Sequence, residues 1–157
     1  NVSARQMTRE GYLQTVRATL NATGFPPELL EIEVTETSVQ RIESRMTILP
    51  EMRAMGAQIA IDDFGTGYSS LARLRTLPCD RIKIDQSFVA GIAHNSSDLA
   101  IVTAIVGLSH TLGLQCTAEG VETERQLELL KQAGCQEAQG FLFGRPLTFE
   151  QMQQMRW

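Results

Sequence analysis

The sequence contains few residues that bind soft metals, and none of them stands in a metal-binding spacing. Its three cysteines, Cys79, Cys116 and Cys135, form neither a CxxC pair nor a Cys/His pattern. Their odd number also argues against a disulfide framework. We therefore expect free thiols, and we expect His94 and His110 to be surface or ordinary helix residues rather than metal ligands.

Long apolar runs and an excess of positive charge are also absent. No run approaches the roughly 20 apolar residues needed to cross a bilayer, and residues 1–10, NVSARQMTRE, lack the basic-then-apolar layout of a signal peptide. We expect a cytoplasmic segment without membrane contact, in a parent protein that other domains could anchor. The formal net charge of −4 disfavours a nucleic-acid polymer as partner. It does not disfavour a small phosphorylated ligand held through a metal.

The chain also lacks a flexible linker, a low-complexity tract and a GxGxxG fingerprint. We therefore treat residues 1–157 as a single domain. Because the sequence begins at Asn1 without an initiator methionine, we expect it to be a piece of a longer protein.

What the sequence does contain is a regular alternation of two patterns. Apolar runs with strand character lie at Leu30–Val34, Ile59–Ile61, Ile82–Ile84, Cys116–Ala118 and Gly140–Phe143. Stretches with helical spacing lie at Tyr12–Leu20, Val39–Leu49, Leu99–Leu112 and Leu127–Leu130, the last before a capping glycine, Gly134. Repeated strand–helix units of this length predict a parallel sheet with crossover helices.

Such a sheet can be open and doubly wound, or it can close into a barrel. The missing glycine fingerprint disfavours the first alternative, and the barrel predicts polar groups at the carboxyl ends of its strands. Those positions hold Glu33, Glu36, Asp62, Asp63, Lys83, Asp85, Glu119, Glu122 and Gln139. We predict an α/β fold, an incomplete TIM-like (β/α) barrel of about five strands plus an N-terminal strand stub at Asn1. Since a complete barrel takes about 250 residues, we expect this sequence to be the C-terminal part of the domain, lacking roughly the first third.

Oxygen ligands without histidine or thiolate are typical of a site for Mg²⁺ or Mn²⁺. The adjacent carboxylates of Asp62 and Asp63 suit two cations, because one carboxylate can bridge while its neighbour binds the second ion. Two such ions promote in-line displacement at phosphorus. Lys83 beside them could polarise the attacking water.

Structural roles for the same residues remain open. Asp62 or Asp63 could cap the next helix or belong to a turn, and Glu36 could brace the helix that follows it. Lys83 could be a structural ion-pair partner of Glu119 or of an aspartate. Glu31 competes with Glu33 for a site role, because alternation places both on one face of the strand.

Five motifs together resemble the EAL-domain cyclic di-GMP phosphodiesterases, in order and spacing and over essentially the whole chain. They are EVTE at Glu33–Glu36, DDFGTGYSSL at Asp62–Leu71, KIDQSFV at Lys83–Val89, AEGVET at Ala118–Thr123 and QGFLFGRPL at Gln139–Leu147. The resemblance implies a TIM-like barrel that uses two ions, Mg²⁺ or Mn²⁺, to hydrolyse cyclic di-GMP to linear pGpG.

The resemblance also implies a role for each matching residue. Asn1, Glu33, Asp62, Asp63 and Glu119 would be metal ligands, with Asp62 bridging. Lys83 would contact the nucleophilic water, and Glu119 would bind the second metal or act as general base. Glu122 and Gln139 would support the site and the substrate, and Glu36 would brace the loop that begins at Phe64. In this family that loop couples the metal site to a dimer interface.

One departure from the family pattern is that the chain contains no Glu-Ala-Leu motif. The family's motif supplies a metal-ligand glutamate and a nearby phosphate-binding arginine. We therefore expect residues 1–157 alone to have impaired phosphodiesterase activity. The alternatives to an enzyme are a non-hydrolytic cyclic di-GMP sensor and a regulatory interaction domain. The intact aspartate pair, Lys83 and Glu119 favour the enzyme. Because an open barrel exposes strand edges, we also expect a homodimer or higher self-association.

Overall fold

A parallel β-sheet organises the structure, a computed structural model that describes residues 1–41, 47–67 and 74–154. Its strands follow one another in chain order, each hydrogen-bonded to the next. They are β1 Glu31–Thr35, β2 Gln58–Phe64, β3 Arg81–Ile84, β4 Gln115–Ala118 and β5 Glu137–Ala138. Over the described residues β1 and β5 do not pair, so the sheet is open. The α/β fold with five parallel strands is confirmed.

Helices connect the strands. They are α1 Ala4–Met7, α2 Tyr12–Thr23, α3 Glu36–Arg41, α4 Ile48–Ala54, α5 Gln86–Gly91, α6 Ser96–Thr111, α7 Glu124–Ala133 and α8 Phe149–Gln153, with a 3₁₀ turn at Pro27–Leu29. Gly134 ends α7 in the left-handed conformation, as predicted. In the predicted helical stretch Val39–Leu49, Ile42 and Met46 lie outside the described residues. Within the described part of the chain, none of the helices combines the length and the apolar character that crossing a membrane requires.

The two faces of the sheet differ in chemistry because side chains alternate along each strand. Ile32, Ile59, Ile82 and Cys116 belong to the buried apolar core, and α6 packs on β3 and β4. The intervening positions carry charged and polar residues that contact one another across the strands, such as Lys83 with Glu33. This polar face continues to the carboxyl ends of the strands, where the predicted site residues stand.

The last strand lies earlier in the chain than the sequence predicts. The apolar run Gly140–Phe143 is not a strand, and β5 is Glu137–Ala138 instead. Gly140 packs against Val121 so closely that a Cβ atom there would lie 2.2 Å from the Val121 carbonyl oxygen. The chain turns at this contact, with Phe143 donating to the Gly140 carbonyl. Apolar content alone therefore placed the strand about three residues too late.

The N-terminal stub makes a single ladder-like contact. The Val2 amide donates to the Glu33 carbonyl oxygen over 2.8 Å, and Ser3 then caps α1. Asn1, the residue before this contact, is exposed and does not form a strand of its own.

Candidate active site

The centre of the polar face is a buried lysine surrounded by carboxylates. Lys83, in β3, lies 2.6 Å from both Glu33 Oε1 and Glu119 Oε1, and 3.6 Å from Asp62 Oδ1. Its side chain is 6% exposed. Because parallel strands present their carboxyl ends at one edge, residues from β1, β2 and β3 and the residue after β4 meet here.

A β-bulge brings Asp63 to the same cluster as Asp62. Neighbouring residues in a regular strand face opposite sides of the sheet. Here the register between β2 and β3 shifts between Ile61 and Phe64, and Asp63 has a left-handed φ of 54°. One carboxylate oxygen from each of Asp62, Asp63 and Glu119 lies within 4.8 Å of the other two. The bulge thus re-aims a side chain toward a common point, as bulges beside functional sites do.

The charges in this cluster perturb one another. Burial raises the pKa of Asp63, and the neighbouring Asp62 and Asp85 raise it further. Burial also raises the pKa of Glu119, although Lys83 opposes the shift. Burial lowers the pKa of Lys83, but hydrogen bonds to Glu119 and Glu33 outweigh this effect and the pKa is raised. Lys83 is therefore a protonated donor at neutral pH.

The donor set fits hard divalent cations. Glu33, Asp62, Asp63 and Glu119 offer only oxygen atoms, which is the ligand type that Mg²⁺ and Mn²⁺ prefer. When ionised, these four carboxylates and the Lys83 ammonium leave a formal charge of −3, which bound cations would neutralise. The close approach of three carboxylates is otherwise costly, since like charges repel one another.

The residues predicted to support the site lie around this cluster. A cleft of about 260 Å³ opens beside Glu119 and includes Glu122 and Gln139 in its wall. Both side chains are exposed to solvent. The Glu122 amide donates to Gln126 Oε1 over 2.8 Å, which ties this wall to the start of α7.

Glu36 stands on the other side, at the start of α3 after β1. It is 7% exposed, and a Cβ atom on Gly67 would lie 3.3 Å from its Oε2. Its carboxylate therefore packs against the loop that begins at Phe64.

The sequence also allowed purely structural roles for these residues, and the structure shows some of those contacts. Lys83 does form ion pairs with Glu119 and Asp62, as the structural alternative predicts. Asp62 and Asp63 lie inside β2, and the Asp63 carbonyl accepts from Thr66, which is turn chemistry beside the site. Asp85 caps α5 by accepting from the Ser87 amide.

A second layer of the polar face was missed from the sequence. Arg81 contacts Glu31, Thr117 and Glu137 beneath the lysine cluster. The available signal was the alternation in RIKID, which puts Arg81 on the same face as Lys83. The structure also gives the two glutamates of β1 different partners, because Glu31 pairs with Arg81 and Glu33 pairs with Lys83.

Parallel strands in chain order, connecting helices and an acidic, lysine-centred cluster at the carboxyl ends of the strands define an α/β domain with an open parallel sheet. The EAL domain family matches residues 1–146, so the chain belongs to that family.

Two relatives illustrate the match, MucR by its sequence and its structure and DcpA by its structure. MucR of Pseudomonas aeruginosa, a bifunctional diguanylate cyclase/cyclic di-GMP phosphodiesterase, is 48% identical over 153 residues, which are 97% of this chain and 22% of MucR. The MucR phosphodiesterase structure, a c-di-GMP complex, superposes with a TM-score of 0.91 and 48% identity over 97% of this chain and 62% of that one. The EAL domain of Mycobacterium smegmatis DcpA has a TM-score of 0.90 at 45% identity, covering 98% and 69%.

A more distant structure adds a metal. Klebsiella pneumoniae BlrP1, in complex with manganese and cy-diGMP, has a TM-score of 0.83 and 37% identity over 90% of this chain and 36% of that one. Compared with the curated MucR protein, this chain spans only about a fifth of the length.

Proposed function

We propose that the domain to which this chain belongs hydrolyses cyclic di-GMP to linear pGpG with two divalent cations, Mg²⁺ or Mn²⁺. The observation that carries the proposal is the buried Lys83 ammonium beside three converging carboxylates, Asp62, Asp63 and Glu119. The named phosphodiesterase MucR, solved with c-di-GMP, supports the substrate class.

Glu33, Asp62, Asp63 and Glu119, with Asn1 beside β1, would hold the ions. When bound, the cations lower the pKa of a coordinated water and offset charge on the phosphoryl oxygens. The chain's own residues then set the direction of proton movement.

Lys83 and Glu119 take different parts in that movement. Because its pKa is raised, Lys83 stays protonated and donates a hydrogen bond to the attacking water or to a phosphoryl oxygen. It is not the base. Glu119 is either a ligand of the second cation or the general base, and burial, which raises its pKa in the metal-free protein, suits it to the second role. Glu122 and Gln139, in the wall of the adjacent cleft, orient the dinucleotide.

We further propose that these 157 residues alone hydrolyse the substrate weakly. The sequence contains no Glu-Ala-Leu motif, so the ligand set available within it lacks that motif's glutamate. A partly filled coordination shell lowers metal affinity and weakens every step that depends on the cation.

The test is hydrolysis of cyclic di-GMP with Mn²⁺ or Mg²⁺, followed by chromatography for pGpG. It uses this chain and a form extended at the N-terminus through the strands that the solved relatives contain. We expect turnover in the extended form, loss by chelation with EDTA, and a decrease of at least about 100-fold in Asp62→Ala and Lys83→Met. Arg125→Gln is the matched control, because it removes only an exposed pair with Glu128.

Two outcomes would overturn these statements. Tight binding of cyclic di-GMP without turnover in the extended form would show a sensor instead of an enzyme. Equal turnover by the unextended chain would show that the Glu-Ala-Leu glutamate is dispensable.

A further inference from the structure

A single guanidinium connects four of the five strands beneath the candidate site. Arg81, the first residue of β3, donates from Nε to Glu31 Oε2 over 2.6 Å and from Nη2 to Gln115 Oε1 over 2.6 Å. Its Nη1 donates to Thr117 Oγ1 over 2.8 Å and to the Glu137 carboxylate. The side chain is 11% exposed. We call Arg81 and these four partners the arginine layer.

The arginine layer lies one side-chain step below the site on the same face of the sheet. Four of its members stand two residues before a group assigned to the site. The pairs are Arg81 and Lys83, Glu31 and Glu33, Thr117 and Glu119, and Glu137 and Gln139. Since residues i and i+2 of a strand share a face and lie about 6.5 Å apart, three of the four partners of Arg81 stand one side-chain step below a site residue, and the fourth, Gln115, stands below Thr117.

The span of the layer requires a long, forked side chain. Strand β2 lies between β1 and β3, and its residue paired with Arg81 is Ala60. The small methyl group of Ala60 leaves room for the guanidinium to reach Glu31. An arginine offers five donors in a fixed planar fork, whereas a lysine offers one point charge. Only the fork can hold partners on both sides of β3 at once.

We propose that Arg81 is a positioning residue for the site: its guanidinium sets the relative placement of β1, β3, β4 and β5 that brings Glu33 and Glu119 to the Lys83 ammonium. Arg81 touches neither Lys83 nor the converging carboxylates in the described contacts, so it acts through the strands. The effect of Arg81 on metal binding rests on the proposed function, whereas its effect on the placement of Lys83 does not.

The sequence offers a direct probe, because its lysines are Lys83 and Lys131 alone. Lys131 is exposed on α7, and Lys83 is buried and paired. Acylation with acetic anhydride, read by mass spectrometry on the folded 157-residue chain, therefore reports Lys83 protection against Lys131 as an internal reference.

Arg81→Met is expected to raise the ratio of Lys83 to Lys131 acylation about tenfold, and Arg81→Lys to raise it less, because one partner can still be bound. The matched control is Arg53→Met, which breaks an ion pair with Asp80 over 2.6 Å that is not part of the arginine layer. Arg53→Met is expected to leave the ratio within about twofold of wild type. If Arg81→Met does not fold, Glu137→Gln, which removes one charged partner, is expected to raise the ratio by a few fold.

A folded Arg81→Met chain with Lys83 as protected as in wild type would overturn the proposal, as would an equal rise in Arg53→Met. A second readout is the Mn²⁺ dissociation constant by calorimetry, expected to weaken about tenfold in Arg81→Met and not in Arg53→Met. If the N-terminally extended form of the wild type binds no Mn²⁺, the proposed function loses its support, while the acylation ratio still decides the role of Arg81.

Discussion

At the scale of single residues, the site combines one cation with a group of anions that destabilise one another. Lys83 offsets part of this repulsion through its contacts with Glu33 and Glu119. Buried pairs of this kind contribute little net stability, because desolvation cancels much of the attraction. Their geometry therefore points to function more than to folding.

The raised pKa of Glu119 predicts a pH dependence of stability. A carboxyl group whose pKa is higher in the folded state binds protons more tightly there, so its stabilising effect is complete below its ordinary pKa of 4.5 and is lost as pH rises through the folded value. We expect the metal-free wild type to lose stability relative to Glu119→Gln as pH rises from about 4.5. Urea unfolding of both proteins between pH 4 and pH 8 measures this difference. Parallel curves would contradict it.

At the scale of elements, the loop after β4 carries Glu119 and depends on a glycine. Gly120 has a φ of 69°, and a Cβ atom there would lie 2.6 Å from the Cβ atom of Gln86 at the start of α5. The loop and α5 must therefore separate if a side chain is added. Such a displacement would move Glu119 away from Lys83.

Gly120→Ala is expected to destabilise the chain by about 1–3 kcal/mol more than Gly113→Ala, measured by urea unfolding. The control shares the backbone conformation, with a φ of 70°, but has open space around the new methyl group. Their difference therefore isolates the clash from the backbone strain. Equal losses would show that Gln86 and α5 shift without cost.

The start of α7 provides a second element-scale test. Gln126 is 7% exposed, its Oε1 accepts from the amides of Glu122 and Thr123, and its Nε2 donates to the Val89 carbonyl. Gln126→Leu leaves the buried Val89 carbonyl and the two partly buried amides without these partners, and we expect a cost of about 2–3 kcal/mol in chemical unfolding.

Gln151→Leu is the matched control for this substitution. Gln151 occupies the same position of a capping box in α8, where its Oε1 accepts from the Thr148 amide, but it is exposed. We expect a cost below about 1 kcal/mol, because water can replace the lost bond. A similar cost in both variants would show that Gln126 stabilises the chain only through the capping box and not through its buried bond to Val89.

At the scale of the whole molecule, the open sheet leaves apolar surface at both ends. Beyond β5 the side chains of Phe141, Phe143, Phe149 and Met152 are 47–64% exposed. Near β1 an apolar groove of about 520 Å³ runs between α2 and the strand. Exposed apolar side chains in such number are typical of surfaces that bury against other protein.

We therefore expect self-association of the 157-residue chain at micromolar concentration, measured as a mass above the monomer by light scattering. Phe149→Lys should shift the mass toward the monomer, because it places a charge in the patch beyond β5. Ile101→Lys, which changes another exposed apolar residue on α6, should not. A monomeric wild type would contradict the expectation.

Much of this architecture could be predicted from the sequence, because it follows from patterns of neighbouring residues. Apolar runs of strand length separated by helical stretches specify repeated βα units, and parallel pairing then places Glu33, Asp62, Lys83 and Glu119 at one edge. The prediction of the last strand was wrong because the Gly140–Phe143 run is apolar without being extended.

The sequence by itself determined which residues share a face and which end of the sheet carries the polar groups, because side-chain alternation and parallel direction are local properties. Only the tertiary structure decided which of these groups meet. Register and curvature determine the bulge that turns Asp63 beside Asp62. They also determine the different partners of Glu31 and Glu33 and the contacts of Arg81 with three other strands. Those properties arise from contacts between residues far apart in the chain, which no local pattern records.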